Sequence, residues 1–494
     1  MWKLTRIRGV LSSLLLATVM ATSFFAAHAQ SAPNAVSTAS MPAASAVSIT
    51  ATVATAVSTT SASDTTSVPA AVTPMVAAPV VLKRPMMIDI DKISAADTSW
   101  MLTSTALVLF MTLPGIALFY GGMVRKKNVI NTMASVVVVA VVVTFVWFAV
   151  AYSLSFTPGS GFLGGLDRAL FDGFGYVKDK ARVAVSHAAT NIPESVYAMF
   201  QLTFAIITTA LVVGSVVERM KFGALVLFAF AWPVLVYAPI AHWVWEPGGW
   251  LAQFGVLDFA GGSVVHINAG VAGLALAYML GPRRGFGREP FEPFNLGLTM
   301  TGTGLLWVGW FGFNAGSAVA ADGRAGLAML VTQLAAASAA IAWASMEWLN
   351  RGSVSLLGLC SGIVAGLVAI TPASGFVTAG SSVLIGLASG VACYWGATQL
   401  KRKLKVDDSL DVFGIHAVGG IVGSILTGVF NDPRISGSVT SVSTQLVGVV
   451  AVAAYSFVVT GLLMMLVNVT VGLRVSESAE MQGLDISAHR ERIS

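Results

Sequence analysis

Apolar stretches separated by short polar connections follow one another along most of the chain. From Ser99 onward there are eleven such segments, each of about the 20 residues that an α-helix needs to cross the hydrocarbon core of a bilayer. The predicted spans are residues 99–122, 128–153, 193–218, 222–245, 259–281, 295–317, 325–349, 353–371, 378–400, 411–430 and 444–472. The pattern predicts an all-α polytopic membrane protein with eleven transmembrane helices.

Basic residues in the connections predict the orientation of these helices. The first, third, fifth, seventh and ninth connections contain thirteen Lys and Arg residues, against six in the alternate connections. Because cytoplasmic loops are enriched in Lys and Arg, the odd-numbered connections are expected in the cytoplasm. The amino terminus is then outside and the carboxyl terminus inside.

Composition agrees with a membrane protein, since 56% of the residues are hydrophobic and only 10% are charged. The net charge of +5 is explained by the basic clusters between the spans, so nucleic-acid binding is not favoured. The two cysteines, Cys360 and Cys393, lie inside apolar segments. Neither a disulfide nor a metal site is expected from them, and no cofactor is indicated.

The chain before the first span has two parts. Residues 1–29 combine a basic start, an apolar stretch and an Ala-x-Ala pattern, which predicts a signal peptide, with an uncleaved anchor as the alternative. Residues 30–97 are rich in Ala, Ser, Thr, Val and Pro and predict a flexible exported arm. The eleven-helix domain is placed at residues 98–473 and a short polar cytoplasmic tail at residues 474–494.

Two of the spans contain a histidine in matching surroundings. His266 begins the pattern His-x-x-Ala-Gly-x-x-Gly, and His416 begins the pattern His-x-x-Gly-Gly-x-x-Gly. The residues three, four and seven positions after each histidine share its helix face. Small residues on one face let a second helix approach closely in lipid, so each histidine is expected to face the protein interior.

The two histidine motifs lie in oppositely directed helices that are five spans apart. An inverted repeat of helices 1–5 and 6–10, with an eleventh helix added, explains this arrangement. From the helix rise, His266 lies about 12 Å from the outer end of its span and His416 about 7 to 8 Å from the inner end. Polar groups near the membrane midplane are candidates for function. The alternative is two unrelated histidines, each satisfied by a neighbour.

A pair of buried imidazoles favours some chemistries over others. Removal from water disfavours the charged form, so both rings are expected to be neutral near pH 7, each with one donor and one acceptor. Such a pair can pass protons or a small hydrogen-bonding molecule. The sequence shows no third ligand for a metal near them. It also shows no nucleophile beside a base within the spans, so an intramembrane enzyme is not favoured.

Aromatic residues gather near the predicted outer ends of three other spans. Phe200 and Phe204 lie one turn apart in the third span, Phe313 and Ser317 one turn apart in the sixth, and Trp245 closes the fourth. Aromatic faces with a hydroxyl suit a small cation through cation-π attraction and one hydrogen bond. Taken singly, each aromatic residue also fits the interfacial belt or the core.

Several segments keep a fixed order from about Ser99 to the end of the chain. They are "ALVLFMTLPGIALFYGG", "GWFGFNAGS", "LDFAGGSVVHINA", "SLLGLCSG", "VDDSLDVFGIHAVGGIVG" and "TVGLRV". Together they resemble the signature blocks of the ammonium transporter family (Amt/Mep/Rh), in its bacterial branch. The resemblance implies eleven transmembrane helices in a homotrimer with one pore per subunit, in the bacterial cell inner membrane.

The resemblance also implies roles for individual residues. It implies recruitment of ammonium or methylammonium at an outer site formed by Trp245, Ser317 and Phe204, with Phe200 nearby. It implies a gate at Phe204 and Phe313, a pore at His266 and His416, and supporting positions at Asp258 and Gln201. The tail segment "GLDISAH" resembles an element that helps dock a PII-type nitrogen signalling protein, with a frayed end as the alternative.

Acidity, and not size, distinguishes ammonium from potassium, since the two hydrated cations have similar size and equal charge. Ammonium can leave its proton at the entrance and cross as neutral ammonia, whereas dry transit of an ion would cost many kcal/mol. Two alternatives stay open: an ammonium sensor of the same fold with little flux, and a proton-coupled transporter of another small amine or gas. A sensor would be expected to append a soluble signalling domain. Electroneutral and electrogenic transport are not distinguished by these residues.

Overall fold

The structure is a computed structural model that describes residues 83–493. The predicted signal peptide and most of the predicted arm lie outside the described residues. Each predicted span overlaps one long helix. These helices are α1 (Ala95–Met123), α2 (Lys126–Phe156), α3 (Glu194–Val216), α4 (Phe222–Phe254, interrupted after Trp245), α5 (Gly262–Leu280), α6 (Leu296–Gly316), α7 (Gly323–Arg351), α8 (Leu356–Ile370), α9 (Ala379–Leu404), α10 (Phe413–Phe430) and α11 (Val442–Thr470).

The helices differ in how well they suit a bilayer. Within residues 83–493, nine are long and apolar enough to cross a membrane. The other two are α6, in which Gly, Thr, Trp and Asn dilute the apolar residues, and α8, which has 15 residues. The protein is therefore a multi-pass helical membrane protein, and the count of eleven crossings stays a prediction.

A small antiparallel sheet lies beside the helices and was not predicted. Its strands are β1 (Met86–Asp89), β2 (Tyr176–Val177) and β3 (Arg182–Val185), in the order β1-β3-β2. Regular structure thus begins at Met86, inside the segment predicted as a flexible arm. The reason is long-range pairing: Met86 lies opposite Val185, and no local pattern reveals a partner so far along the chain.

The connections between the helices group at two ends. Arg283, after α5, pairs with Glu218, after α3, and with Asp407, after α9. At the other end, Asn191, after α2, donates a hydrogen bond to Asp97 at the start of α1. Odd-numbered connections therefore meet at one end, as expected when successive helices run in alternate directions.

Glycines bring α5 and α10 into close contact. A Cβ atom on Gly270 would lie 2.4 Å from the backbone nitrogen of Ala417, and one on Gly420 would lie 2.8 Å from the carbonyl oxygen of Gly262. Because Cβ atoms do not approach other atoms so closely, any side chain at these positions would push the helices apart. The small faces found in the sequence are therefore the surfaces on which α5 and α10 pack against each other.

Candidate functional site

His266 and His416 lie side by side where α5 and α10 cross. Their ring centroids are 5.4 Å apart with 23° between the planes, and their Nδ1 atoms are 3.3 Å apart. The two residues are 1% and 5% exposed. Each lies in a π-helical turn, Gly262–Ile267 in α5 and Phe413–Ala417 in α10. Such turns recur at functional sites because they displace side chains from regular helix positions.

The contact between the two Nδ1 atoms determines what this histidine pair offers to a ligand. A hydrogen bond between them requires one Nδ1 to carry the proton and the other to accept it, so neutral rings take opposite tautomers. One Nε2 is then an acceptor and the other an N–H donor. Among the described residues, the buried Nε2 of His266 has no hydrogen-bond partner. The pair therefore suits a small molecule that both donates and accepts hydrogen bonds.

Aromatic side chains extend from His266 along the helix bundle. Trp310 lies parallel to the imidazole of His266, with ring centroids 5.4 Å apart, and its Nε1 donates to Thr371. The ring of Phe313 is 6.1 Å from that of His266. The flat apolar faces of Trp310 and Phe313 thus lie next to His266. The indole N–H of Trp310 is the one polar group on these two side chains, and it already donates to Thr371.

The aromatic residues predicted for the outer site and the gate form one cluster. The rings of Phe204 and Phe313 are stacked, with centroids 4.2 Å apart and 26° between the planes. Phe200 packs edge-on against Phe204 at 4.9 Å, and Trp245 packs edge-on against Phe204 at 5.7 Å. The structure therefore brings all four together, and we refer to them as the aromatic cluster.

Two oxygen atoms border the aromatic cluster. The Ser317 hydroxyl donates its proton to the carbonyl oxygen of Phe313, so its own oxygen keeps lone pairs to accept a hydrogen bond. Gln201, beside Phe200 in the chain, is 8% exposed, and its Oε1 has no partner among the described residues. Both atoms are acceptors and suit a ligand that carries N–H groups.

Asp258 holds the start of α5 and Trp245 in place. Its carboxylate accepts four backbone N–H groups, those of Gly261 at 2.8 Å, Gly262 at 2.6 Å, Ser263 at 2.7 Å and Val264 at 3.1 Å. Its backbone carbonyl accepts the indole N–H of Trp245 at 2.9 Å. Negative charge at a helix N-terminus is stabilised by these donors, so Asp258 is a positioning residue with its oxygens fully engaged.

A matching acid at the other end was missed by the sequence analysis. Asp408 precedes His416 by eight residues, as Asp258 precedes His266. One oxygen of Asp408 accepts the N–H of Phe413 at 2.8 Å, and the other is buried without a partner among the described residues. Burial, and then the neighbouring Asp411, raise the pKa of Asp408. The equal spacing was the signal that could have identified it.

A network of ion pairs joins the odd-numbered connections at the end of the bundle where Arg283 lies. Glu218 pairs with Arg125 at 2.7 Å and with Arg283 at 3.1 Å, and Arg283 pairs with Asp407 at 2.8 Å. Burial alone would raise the pKa of Glu218, but the two guanidiniums hold it below its ordinary value. Asp407 is held low in the same way by Arg283. The network is therefore ionised at neutral pH and ties α1, α3, α5 and α9 together.

The described part of the tail packs on this end and is not frayed. A short helix, α12 (Glu477–Gln482), places Glu480 where it accepts from Arg474 at 2.8 Å and from the backbone N–H of Arg284 at 2.7 Å. Further along, Asp485 accepts the N–H of Asn131 at the start of α2, at 2.8 Å. The tail therefore holds its shape through specific contacts with the connection after α5, at Arg284, and with the start of α2, at Asn131.

The fold and the site define a multi-pass helical membrane protein with a polar pair enclosed behind an aromatic cluster. The sequence profile of the Ammonium Transporter Family matches residues 99–493. An ammonium transporter of Aquifex aeolicus is 48% identical over 409 residues, which cover 81% of this chain and 94% of that protein. An ammonium transporter of Bacillus subtilis is 44% identical over 405 residues, covering 80% and 98%.

Solved structures agree with these sequence matches. Mep2 of Saccharomyces cerevisiae superposes with a TM-score of 0.72 at 35% identity, covering 79% of this chain and 92% of that one. A sensor Amt protein superposes with a TM-score of 0.73 at 27% identity, covering 81% and 99%. The chain belongs to the Ammonium Transporter Family, as the sequence blocks indicated. Family membership supports a role in ammonium transport.

Proposed function

We propose that this protein transports ammonium by recruiting it at the aromatic cluster, removing a proton and conducting ammonia past the histidine pair. The observation that carries this proposal is the unbroken series of contacts from Trp245 through Phe204 and Phe313 to His266 and His416. A cation-binding surface, an apolar constriction and a neutral donor–acceptor pair follow one another along that series.

Recruitment rests on aromatic faces and two oxygen acceptors. A small cation beside Trp245 and Phe200 gains about 0.5 to 2 kcal/mol from each favourable ring contact. The lone pairs of Ser317 and the free Oε1 of Gln201 then accept N–H bonds. Potassium offers no N–H, so those acceptors favour ammonium and methylammonium.

The stacked rings separate this site from the histidine pair. With their centroids 4.2 Å apart, Phe204 and Phe313 leave no space between them for a solute, so passage requires one ring to rotate. An ion that crossed this dry stretch would lose its hydration without a compensating charge. Neutral ammonia avoids that cost, and only a cation that can release a proton has a neutral form.

The opposite tautomers of the histidine pair match ammonia. Its lone pair accepts from the Nε2–H of one ring, and its N–H donates to the free Nε2 of the other. The pair thus replaces two of the hydrogen bonds that ammonia had in water, each worth about 1 kcal/mol net. Transport then ends with reprotonation on the inner side.

Substitution of each histidine by alanine tests this mechanism. We expect His266→Ala and His416→Ala to lose selective uptake of methylammonium into proteoliposomes or to let potassium compete. Ile415→Val, a conservative change beside His416 in the same buried turn, is the matched control and should keep both rate and selectivity. Unchanged selective uptake in both alanine variants would remove the histidine pair from the mechanism.

The proposal extends to the arrangement in the membrane. We infer eleven crossings in an inverted repeat of helices 1–5 and 6–10 plus one, in a homotrimer of the bacterial inner membrane, with the amino terminus outside. The ends of the bundle support alternation, since odd-numbered connections meet at one of them. In intact cells, an impermeant maleimide should label Ser438→Cys in the tenth connection and spare Ser478→Cys in the tail, both exposed.

The termini complete the proposed organisation. We assign residues 1–29 to a signal peptide, residues 30–97 to an exported arm, residues 98–473 to the transport domain and residues 474–494 to a cytoplasmic regulatory tail. The packed tail supports the last assignment, because a PII-type protein that displaces it would act on contacts with Arg284 and Asn131. Co-purification of such a protein with the wild-type chain, lost on deletion of the tail, is the test.

A membrane sensor of ammonium is the second candidate. It is favoured by the similarity to a sensor Amt protein. Both functions require the aromatic cluster to bind ammonium, but only transport requires flux. Proteoliposomes that bind ammonium saturably and show no uptake above empty vesicles would establish the sensor and exclude the transporter.

A further inference from the structure

A buried glutamine of α11 holds the segment that leads from α4 to α5. Gln445 is 1% exposed. Its Oε1 accepts the backbone N–H of Leu257 at 2.8 Å, and its Nε2 donates to the carbonyl oxygen of the same residue at 2.8 Å. The Nε2 also donates to the carbonyl oxygen of Ser424 in α10 at 3.1 Å. One side chain thus joins α10, α11 and residues 255–258, which we call the α4–α5 segment.

The chemistry of these contacts fixes how the amide of Gln445 lies. Two of its three partners are carbonyl oxygens, which only accept, and the third is an N–H, which only donates. Exchange of Oε1 and Nε2 would place the NH2 group against an N–H and the oxygen against two carbonyls. Because the amide is buried, a partner that is lost leaves a polar group without a hydrogen bond, which is unfavourable. Gln445 therefore fits this place in one orientation and constrains both backbone polar groups of Leu257.

Two further contacts hold the α4–α5 segment against α11. The hydroxyl of Thr440, two residues before α11, donates to the carbonyl oxygen of Gly255 at 2.9 Å. Val256 is 5% exposed and packs on Gly448, one helical turn after Gln445. A Cβ atom on that glycine would lie 2.9 Å from the side chain of Val256. Three consecutive residues of the α4–α5 segment are therefore held by the first part of α11.

The next residue, Asp258, connects the α4–α5 segment with the aromatic cluster. Its backbone carbonyl accepts the indole N–H of Trp245 at 2.9 Å, and its carboxylate accepts the N–H groups at the start of α5. The N–H of Phe259, which follows, donates to the carbonyl oxygen of Pro372 at 3.1 Å. Asp258 is thus held from Gln445 on one side and from Pro372 on the other. The path from Gln445 to Trp245 runs through hydrogen bonds and the backbone of two successive residues.

We propose that Gln445 is a positioning residue for ammonium recruitment, which acts on Trp245 through Asp258 and does not contact the ligand. Its bond to α10 also ties the recruitment end of the site to the helix that carries His416. The eleventh helix, which is outside the proposed inverted repeat, thereby has a role of its own in the site. This inference deepens the proposed function and rests on it.

Gln445→Leu tests the inference, because it removes all three hydrogen bonds at similar size. Full-length protein in proteoliposomes is assayed for methylammonium uptake over a range of concentrations. We expect the KM to rise about threefold to tenfold, as loss of one positioning hydrogen bond would produce, with the maximal rate within about twofold. Thr440→Val, which removes the bond to Gly255 and keeps Gln445, should shift the KM in the same direction by a smaller factor. Gln333→Leu, the same substitution at an exposed position in α7, is the matched control and should keep the wild-type KM.

A second background separates positioning of Trp245 from a general effect on the fold. In Trp245→Phe the indole N–H is absent, so the Asp258 carbonyl has no indole to hold. Addition of Gln445→Leu to this background should then change the KM by less than about 1.5-fold, because the two residues act as one unit. Elution volume and unfolding temperature are compared for every variant. If Gln445→Leu does not fold, Thr440→Val takes its place in both backgrounds.

Three results would overturn the inference. They are a wild-type KM in both Gln445→Leu and Thr440→Val, a lower maximal rate with an unchanged KM, and an equal rise in KM with and without the Trp245 indole. In the first case, a raised KM in Trp245→Phe would leave the proposed function standing. Absence of saturable methylammonium uptake by the wild-type chain would overturn the proposed function and this inference with it.

Discussion

Asp258→Asn is the substitution whose effect the structure specifies most closely. The carboxylate accepts two backbone N–H groups on each oxygen, so four donors at the start of α5 depend on it. An asparagine has one acceptor oxygen, and its NH2 group would face two N–H donors. A buried donor left without a partner costs about 1 to 3 kcal/mol, so the loss amounts to roughly 2 to 6 kcal/mol of stability.

Function should be lost together with stability. The peptide that carries Asp258 also fixes Trp245 through the indole N–H, and the π-helical turn that contains His266 begins four residues later, at Gly262. A shift there would move Trp245 of the aromatic cluster and His266 together. We therefore expect ammonium uptake by the variant to fall well below that of the wild type even at temperatures where it remains folded.

Thermal unfolding in detergent and uptake by proteoliposomes are the two measurements. Asp432→Asn is the matched control, because Asp432 also accepts a backbone N–H at a helix start but belongs to an exposed ion pair. Its unfolding temperature should stay close to that of the wild type. An Asp258→Asn protein as stable and as active as this control would refute the reasoning that the four hydrogen bonds hold the site.

Three further outcomes are expected. Gly270→Ala should lower the unfolding temperature and uptake, since its Cβ would lie 2.4 Å from Ala417 and overpacking costs about 1 to 3 kcal/mol, whereas Gly304→Ala, with open space around it, should not. The pKa of Glu218 is held below 4.5, so its stabilisation is present above that pH and is lost as the pH falls through the folded-state value. Glu218→Gln should therefore lower stability at pH 7 and flatten its decline in acid unfolding scans. Phe313→Ala should admit potassium, seen as a potassium-dependent current in proteoliposomes, and continued exclusion would place the constriction elsewhere.

The positions of the helices and of the histidine pair were accessible from the sequence because local rules determine them. Apolar length predicts where helices lie in a membrane protein, and each predicted span overlaps a helix. The small residues after His266 and His416 predicted close packing, and the helices approach at those glycines. These local signals were sufficient because each one lies within a single segment of the chain: the apolar length of a span, and the spacing of small residues along one helix face.

Features that depend on long-range contacts were not accessible. Strand β1 forms only because Arg182–Val185 is available to pair with it. Glu246 and His187 are in hydrogen-bond contact although they stand 59 positions apart and follow no periodic pattern, so nothing in the sequence links them. The ion pairs of Glu218 likewise join three separate connections.

The two halves of the site share a plan but differ in how their acids are used. Asp258 and Asp408 each precede one histidine of the buried pair by eight residues and accept N–H groups at the start of its helix. Both oxygens of Asp258 accept hydrogen bonds, from four donors in all. Asp408 keeps one buried oxygen without a partner among the described residues. Burial raises the pKa of both carboxyl groups, and the four backbone N–H donors oppose that rise at Asp258. The two acids therefore hold the starts of their helices to different extents, since Asp258 satisfies four backbone donors of α5 and Asp408 satisfies one at Phe413 of α10.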